Sequence, residues 1–397
     1  MEQLNMFAEM EERGQERIAV FAGHEVKVVT KEFWTAKQRQ TSSLHEVSYR
    51  ACFKPQLPRY FIQQYSSPGD IVYDPFSGRG TTAIEAALLG RVPYANDINP
   101  LSSLFSRPRI SPPQLRAIAK RLGQIEYDYS KQPDIDLSMF YEKKTAAEIA
   151  SLREYLLRSD KDEVDDWIKM VATNRLTGHS KGFFSVYSLP PNQAASQKRQ
   201  IKINEKLKQA PEYRDTKAII LKKSKQLLGK LTLGEQENLQ AVAKQAKFLN
   251  SFSHETAQIS DASVQLIVTS PPFLNVVQYA LDNWLRCWFN GIDAQAVAKN
   301  ITSFSKLERW VHAMSSVFKE LERVLKPCGY IAFEVGEVKK GTIMLDEHIL
   351  PIGLQLGLSC EKILINSQTF TKTSNIWGVG NNAKGTNTNR IVLFKKR

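Results

Sequence analysis

The stretch "DIVYDPFSGRGTTAIEAALLG" runs from Asp70 to Gly90. Ile71, Val72 and Tyr73 read as a short buried strand that ends on Asp74 and Pro75. Gly78 and Gly80 follow, and then a helical run that opens on Thr81 and Thr82 and stops at Gly90. The glycines let the backbone turn tightly and let a ligand approach closely. Asp74 places a carboxylate at the strand's carboxyl end, where doubly wound sheets bind their ligands.

Working outward, the same rhythm continues. "VPYANDI" is a second strand ending at Asp97, and "QLIVTSPPF" is a third. "LERWVHAMSSVFKELERVLKPCG" is an amphipathic helix with a Pro-Cys-Gly exit. "YIAFEVGE" is a strand, and "EKILINSQTF" and "TNRIVLFKK" predict two final antiparallel strands. Strands alternating with helices predict an α/β fold, a doubly wound, mainly parallel sheet. Residues 1–44 read as a helical or loosely ordered lead-in. Between 106 and 249 the alternation stops, and helical spacing takes over in "KTAAEIASLREYLL" and "DEVDDWIKMVATNRL". A catalytic core of 45–105 and 250–397, with a largely helical domain inserted at 106–249, is the simplest account.

The glycine turn narrows the ligand. No Gly-Lys-Ser/Thr follows, so it is not a phosphate loop, and the third glycine of a dinucleotide fingerprint is missing. Taken alone, Asp97 reads first as a turn or cap residue. Placed at the end of the second strand, it can also hold ribose hydroxyls. An adenosine ligand without phosphates and with a positive centre suits Asp74 and Asp97. S-adenosylmethionine is such a ligand.

Composition sets the bounds. The chain has 397 residues, 42% hydrophobic, with a formal net charge of +13. Polyanions are the natural partners of such a surplus. It is concentrated: from Lys198 to Lys230 there are eleven Lys/Arg against three acids. No apolar run suits a membrane span, and the N-terminus has no signal-peptide core, so the expected compartment is the cytoplasm. Cys52, Cys287, Cys328 and Cys360 are scattered, with no paired spacing, which argues against a zinc site and a disulfide framework.

In "LIVTSPPFLNVVQY", Leu266 to Tyr279, two prolines stop a buried strand and send the chain out as a stiff arm. "FKPQLPRYFIQQYSSPGDIVYDPFSGRGTT", then "NDINP" and "VTSPPF", resembles the amino-methylating DNA methyltransferases, the N4-cytosine and N6-adenine group. The resemblance covers roughly residues 45–105 and 250–397. It implies a Rossmann-like fold and S-adenosylmethionine as cofactor, with no metal. It further implies that Asp74, Phe76, Gly78, Gly80 and Thr81 line the cofactor pocket, that Asp97 takes the ribose, and that Ile98 lies against the adenine. Phe53 and Lys54 match the family's upstream cofactor segment.

By the same resemblance Ser270, Pro271, Pro272 and Phe273 form the catalytic segment. Hydroxyl and carbonyl acceptors would hold an exocyclic amino group, and Phe273 would stack on a flipped base. The family carries Ser before Pro-Pro mostly in its cytosine-N4 members. Two departures stand out. The acidic Gly-Asp that many relatives carry before this segment is "NSFSHET" here, leaving Ser251, His254 or backbone for the adenine. Pro327-Cys328, in "LKPCGY", looks like the nucleophile motif of another methyltransferase class, but it follows a long helix and reads as a turn.

The region from Asn174 to Gln200 mixes Arg175, His179, Lys181, Lys198 and Arg199 with Phe183, Phe184 and Tyr187. At least one of these aromatics is expected in the core. Arg and Lys of this kind bind phosphates and base edges, so Arg175, Lys181, Lys198 and Arg199 are the candidate DNA contacts. Arg390 is a further one. The expected function is therefore site-specific transfer of a methyl group to cytosine N4 in double-stranded DNA, in an orphan role or beside a cognate restriction endonuclease. An N6-adenine enzyme, an RNA base methyltransferase and a non-catalytic nucleic-acid-binding subunit stay open.

Overall fold

The computed structural model describes residues 15–21, 23–31, 33, 42–49, 52–158, 160–272, 282–301, 304, 306–338, 342–367 and 388–397. The strands are β1 (Gln15–Phe21), β2 (His24–Lys31), β3 (Ile71–Asp74), β4 (Val92–Asn96), β5 (Lys247–Leu249), β6 (Val264–Thr269), β7 (Leu325–Val338), β8 (Ile343–Met344), β9 (Ser359–Ser367) and β10 (Thr388–Lys395). In the sheet they run β1-β2-β9-β10-β7-β6-β3-β4-β5, with β8 paired to β7 off this path. The block β7-β6-β3-β4-β5 is parallel throughout. β10 is antiparallel to both β7 and β9, as the sequence led one to expect of the last two strands.

Side chains alternate across the two faces as a strand period of two requires. Val72, Leu266, Val268 and Ala332 pack on one face against the helix Gln56–Tyr65. Tyr73, Ile267, Ile331 and Phe333 face the other, larger cluster. That cluster continues without a break into the helices Lys143–Leu157, Glu163–Arg175 and Thr216–Leu228, through Ile149, Leu152, Trp167, Ile168 and Ile220. Trp167 is fully buried, and its indole N–H donates to Ser224 Oγ at 2.9 Å.

Two elements differ from the sequence reading. Among the described residues of the lead-in, β1 and β2 form an antiparallel hairpin where a helical or loosely ordered segment was expected, and β2 lies parallel to β9. Val26 and Val28 are buried by that pairing while Ile18 and Val20 stay exposed. The partner strand lies more than 300 residues away in the chain, so nothing local announces it. The exit from the helix Leu307–Val324 is also shorter than a turn. β7 starts at Leu325, and Lys326–Gly329 forms an irregularity in its pairing with β6. Cys328 sits there exposed at φ 61°, at the opposite end of β7 from Ser270's neighbours, which leaves it no access to that site.

The turn after β3 is fixed by one close approach. Gly80 begins the helix Thr81–Leu88 at φ 80°, and a Cβ on it would stand 2.3 Å from Ser106 Oγ and 2.8 Å from Ser106 Cβ. Both the left-handed backbone and the contact exclude a side chain. Gly80→Ala is expected to cost about 2–4 kcal/mol of stability in urea unfolding. Adding Ser106→Gly should recover the packing part of that loss. Unchanged stability in the single variant would show that the helix start can move.

Candidate functional site

The chain leaves β3 outward to β4 and β5, then returns to the other side of β3 as β6. The carboxyl ends of β3 and β6 therefore flank the point where strand order reverses, which is where open α/β sheets form their crevice. The glycine turn leaves one strand there and Ser270-Pro271-Pro272 leaves the other.

A buried carboxylate joins them. Asp74 Oδ1 accepts from Thr269 Oγ1 at 2.6 Å and from the Phe76 N–H at 3.1 Å. Asp74 is 1% exposed, and burial pushes its carboxyl up to about 7 against the pull of the Thr269, Phe76 and Thr82 hydrogen bonds. Asp97 shapes the turn from the next strand. Its Oδ2 accepts from the Gly78 N–H at 2.8 Å and its Oδ1 from the Asn99 N–H at 2.9 Å. Burial raises it to about 6, and those same two N–H groups work the other way.

Over this crevice lies a cavity of about 340 Å³, within the range that holds small ligands. Phe76, Gly78, Asp97 and Ile98 form one wall. Ser251, Phe252 and His254, after β5, form a second, with the Phe252 and His254 rings stacked at 5.5 Å and 30°. Ser270 and Pro272 form a third. Trp310 Nε1 donates to the Pro272 carbonyl at 3.0 Å and pins the arm against the helix Leu307–Val324. Tyr49 closes the remaining side; its hydroxyl oxygen accepts from Asn99 Nδ2 at 3.1 Å. No lysine or arginine is among the described residues that line the cavity. This donor set fits a nucleoside with a cationic centre: each Asp97 oxygen keeps a lone pair for hydroxyls, the rings offer π-faces, and nothing here suits a phosphate.

Of the residues predicted for the site, Phe76, Gly78, Asp97, Ile98, Ser270 and Pro272 meet at the cavity. Asp74, Gly80, Thr81 and Pro271 do not line it; Asp74, Gly80 and Thr81 are instead parts of the buried frame behind it. Phe53 packs at the edge of the smaller apolar cluster and Lys54 is exposed; neither lines the cavity. Phe273 lies outside the described residues. Lys181, Lys198 and Arg199 are exposed. Arg175 is a correction: it is 8% exposed, its Nη2 donates to Asn174 Oδ1 at 2.7 Å, and its guanidinium lies 4.0 Å from the Phe183 ring centroid. A guanidinium turned inward in this way has no surface to offer DNA. Arg390 is likewise engaged, with buried Asp346 at 2.9 Å. Phe183 and Phe184 are core residues and Tyr187 is exposed. Among residues that the sequence reading did not single out, Tyr49 and Phe252 line the cavity, and Glu334 lies buried on the strand next to Ser270's. Phe252 stood in the "NSFSHET" stretch as a plain aromatic. Glu334 was hidden inside an otherwise apolar strand.

Asp74 carries a pH signature. Its folded-state value near 7 lies above the 3.8 of an ordinary aspartate, so the folded form binds the proton more tightly than the unfolded chain. The stability it contributes is therefore full at low pH and is lost as pH rises from about 4 to about 7. Urea midpoints of the wild type should fall relative to Asp74→Asn across that range. A constant difference would mean that Asp74 is ionised in the folded protein.

The chain is similar to known methyltransferases. Residues 6–101 match the family model described as DNA methylase. The type II methyltransferase M.MvaI of Kocuria varians is 29% identical over 124 residues, 30% of this chain and 25% of that protein. The chain thus spans a quarter of the length of that relative. M.BsoBI of Geobacillus stearothermophilus is 21% identical over 374 residues, 81% of this chain and 70% of that protein. Among solved structures, TrmN from Thermus thermophilus aligns over 97% of this chain and 60% of its own, with 13% identity and a TM-score of 0.36. The family match and these methyltransferase relatives bear out the resemblance to the amino-methylating N6/N4 DNA methyltransferases.

Proposed function

We propose that this protein transfers a methyl group from S-adenosylmethionine to an exocyclic amino group in double-stranded DNA, and that the group is cytosine N4. The observation that carries the reading is the shared cavity. The carboxylate and glycine turn suited to the cofactor, and the Ser-Pro-Pro arm suited to the base, are walls of one space. The cofactor supplies an electrophilic methyl on a cationic sulfur. Asp97 would hold its ribose, Ile98 and Phe252 would flank the adenine, and the negative frame of Asp74 and Asp97 would favour its positive charge.

The protein's own task is the amine. An exocyclic amino group is a poor nucleophile because its lone pair is conjugated into the ring. Ser270 Oγ and backbone carbonyls of the arm would accept its N–H bonds and turn the lone pair out of that conjugation. The prolines and the Trp310 hydrogen bond hold these acceptors in place before the base arrives, so little reorganisation remains. Phe273 would stack on the extruded base.

Lys181, Lys198 and Arg199 are the proposed phosphate contacts. They belong to a segment that docks on residues 282–284: the Ala194 N–H donates to Asp282 O at 2.8 Å, and Trp284 Nε1 to Ala195 O at 3.1 Å. We take 106–249 as the target-recognition region on this ground. The protein's role would be that of a modification enzyme, alone or beside a cognate endonuclease in a restriction-modification system, acting in the cytoplasm. Among the described residues no helix is long and apolar enough to cross a membrane.

Incubation with unmethylated plasmid and S-adenosylmethionine, followed by nucleoside mass spectrometry, should yield N4-methylcytosine. Ser270→Ala should lower kcat by about 10²-fold with cofactor affinity retained. N6-methyladenine would keep the pocket and overturn the base. No methylated base on DNA, with product on RNA or on neither, would overturn the DNA reading.

A further inference from the structure

One buried carboxylate at the site has no task in the scheme above. Thr269 of β6 and Phe333 of β7 are register partners in parallel strands. The next residues, Ser270 and Glu334, therefore stand side by side at the strand ends. Glu334 is 4% exposed. Its Oε1 accepts from Asn389 Nδ2 at 2.5 Å, and the neighbouring Ser270 hydroxyl favours its charged form. Neither partner is a cation, and Asp74 one strand further on adds repulsion. A glutamine would fill the same space and still accept from Asn389 at no electrostatic cost. What only a carboxyl offers here is a charge and a proton site.

Ser270 is the hydroxyl on the cavity wall. A hydroxyl has one proton and two lone pairs. With the proton directed at Glu334, the lone pairs are left for an amino N–H. We propose that Glu334 is the positioning residue of the transfer reaction: it holds the Ser270 proton away from the substrate and receives it when the target nitrogen gives up its own.

The inference rests on the methyl-transfer reading. As the nitrogen–methyl bond forms, the carbon–sulfur bond of the donor breaks and its electron pair stays on sulfur, which becomes a neutral thioether. The nitrogen is then left with one proton too many. That proton passes to Ser270 Oγ while the Ser270 proton passes to Glu334. A cation and a carboxylate at the start become a neutral thioether, a neutral methylated base and a carboxylic acid at the end. No charge is stranded in the buried site, and Glu334 later releases its proton to solvent. Burial pushes Glu334 up to about 7, so it is poised to take a proton at neutral pH. From the strands packed on it Glu334 faces Ser270, Asn389 and, beyond β6, Asp74; of these only Asp74 titrates nearby.

The test uses full-length protein and Glu334→Gln, with folding and cofactor affinity checked first. Wild-type kcat should rise with pH through about 7 and then level. In Glu334→Gln that limb should vanish and kcat fall by about 10²-fold, with Glu334→Asp partly restoring both. Independently of turnover, carboxyl carbon-13 NMR of the free protein should show one glutamate resonance, absent in Glu334→Gln, that titrates near neutral pH. In Ser270→Ala it should titrate higher, because the serine hydrogen bond favours the charged form. A resonance titrating below about 5, or a Glu334→Gln enzyme with wild-type kcat and pH limb, would overturn the role of Glu334 and leave the methyl-transfer reading standing. A wild type that methylates no base would bring down both.

Discussion

The hydrogen bond from Thr269 to Asp74 spans 195 positions in the chain and ties the carboxyl end of β6 to that of β3. Everything functional hangs from those two ends. The turn after β3 carries Phe76, Gly78 and Gly80, and the arm after β6 carries Ser270 and Pro272. Because the bond is buried, the distance between turn and arm is set by the sheet and not by loop motion. The cost is electrostatic. Asp74, Asp97 and Glu334 crowd the same end of the sheet, and burial raises all three. A site built this way is strained against ionisation while it holds no cation. A ligand with a positive centre relieves that strain, which gives binding of a sulfonium a driving force that a neutral analogue lacks.

A second frame holds the turn from outside. Arg79 Nη1 donates to Val47 O at 3.0 Å and to His45 O at 3.3 Å, while Arg109 Nη1 donates to Leu44 O at 2.8 Å and its Nη2 to Arg79 O. Two arginines thus clamp residues 44–47 onto the glycine turn and bring Tyr49 to the cavity. Beneath them, His45 Nε2 meets Glu85 Oε1 at 2.6 Å, and Arg59 meets Glu85 Oε2 at 2.9 Å. Burial holds His45 below its usual range, and His45 and Arg59 hold Glu85 below its own. The consistent assignment is a neutral imidazole donating to a carboxylate whose charge Arg59 balances. Removing Arg59 would leave the buried Glu85 charge unpaired, which costs far more than the pair contributes intact.

What the sequence revealed follows from how local each signal is. β3, the glycine turn and the helix after it were legible because they are contiguous, and their residue types allow few other conformations. The Ser-Pro-Pro arm was legible for the same reason. The hairpin β1–β2 was not, because its burial depends on β9. Arg175 was misread because composition counts a cation without saying where it points. Glu334 could not be singled out: in "YIAFEVGE" it looks like a solvent-facing position of an edge strand, and only the central place of β7 between β6 and β10 buries it.

The net charge of +13 is therefore a poor map of where a polyanion would lie. Some of the basic residues are spent inside the fold. Lys223, 8% exposed, pairs with Glu46 at 2.8 Å. Arg286 Nη2 donates to Ser48 O at 2.9 Å, and its guanidinium lies 5.4 Å from the Phe105 ring centroid. Arg109 is fully buried. The two arginines serve as multivalent donors to backbone carbonyls, a use for which the planar guanidinium is suited. Lys181, Lys198 and Arg199 are left at the surface. On the proposed reading such a surface would give attraction and register, and the choice of base would fall to the cavity, where no lysine or arginine among the described residues reaches. Affinity for the polymer and selectivity for the amine would then be carried by separate groups, because the surface cations and the cavity lining share no residue.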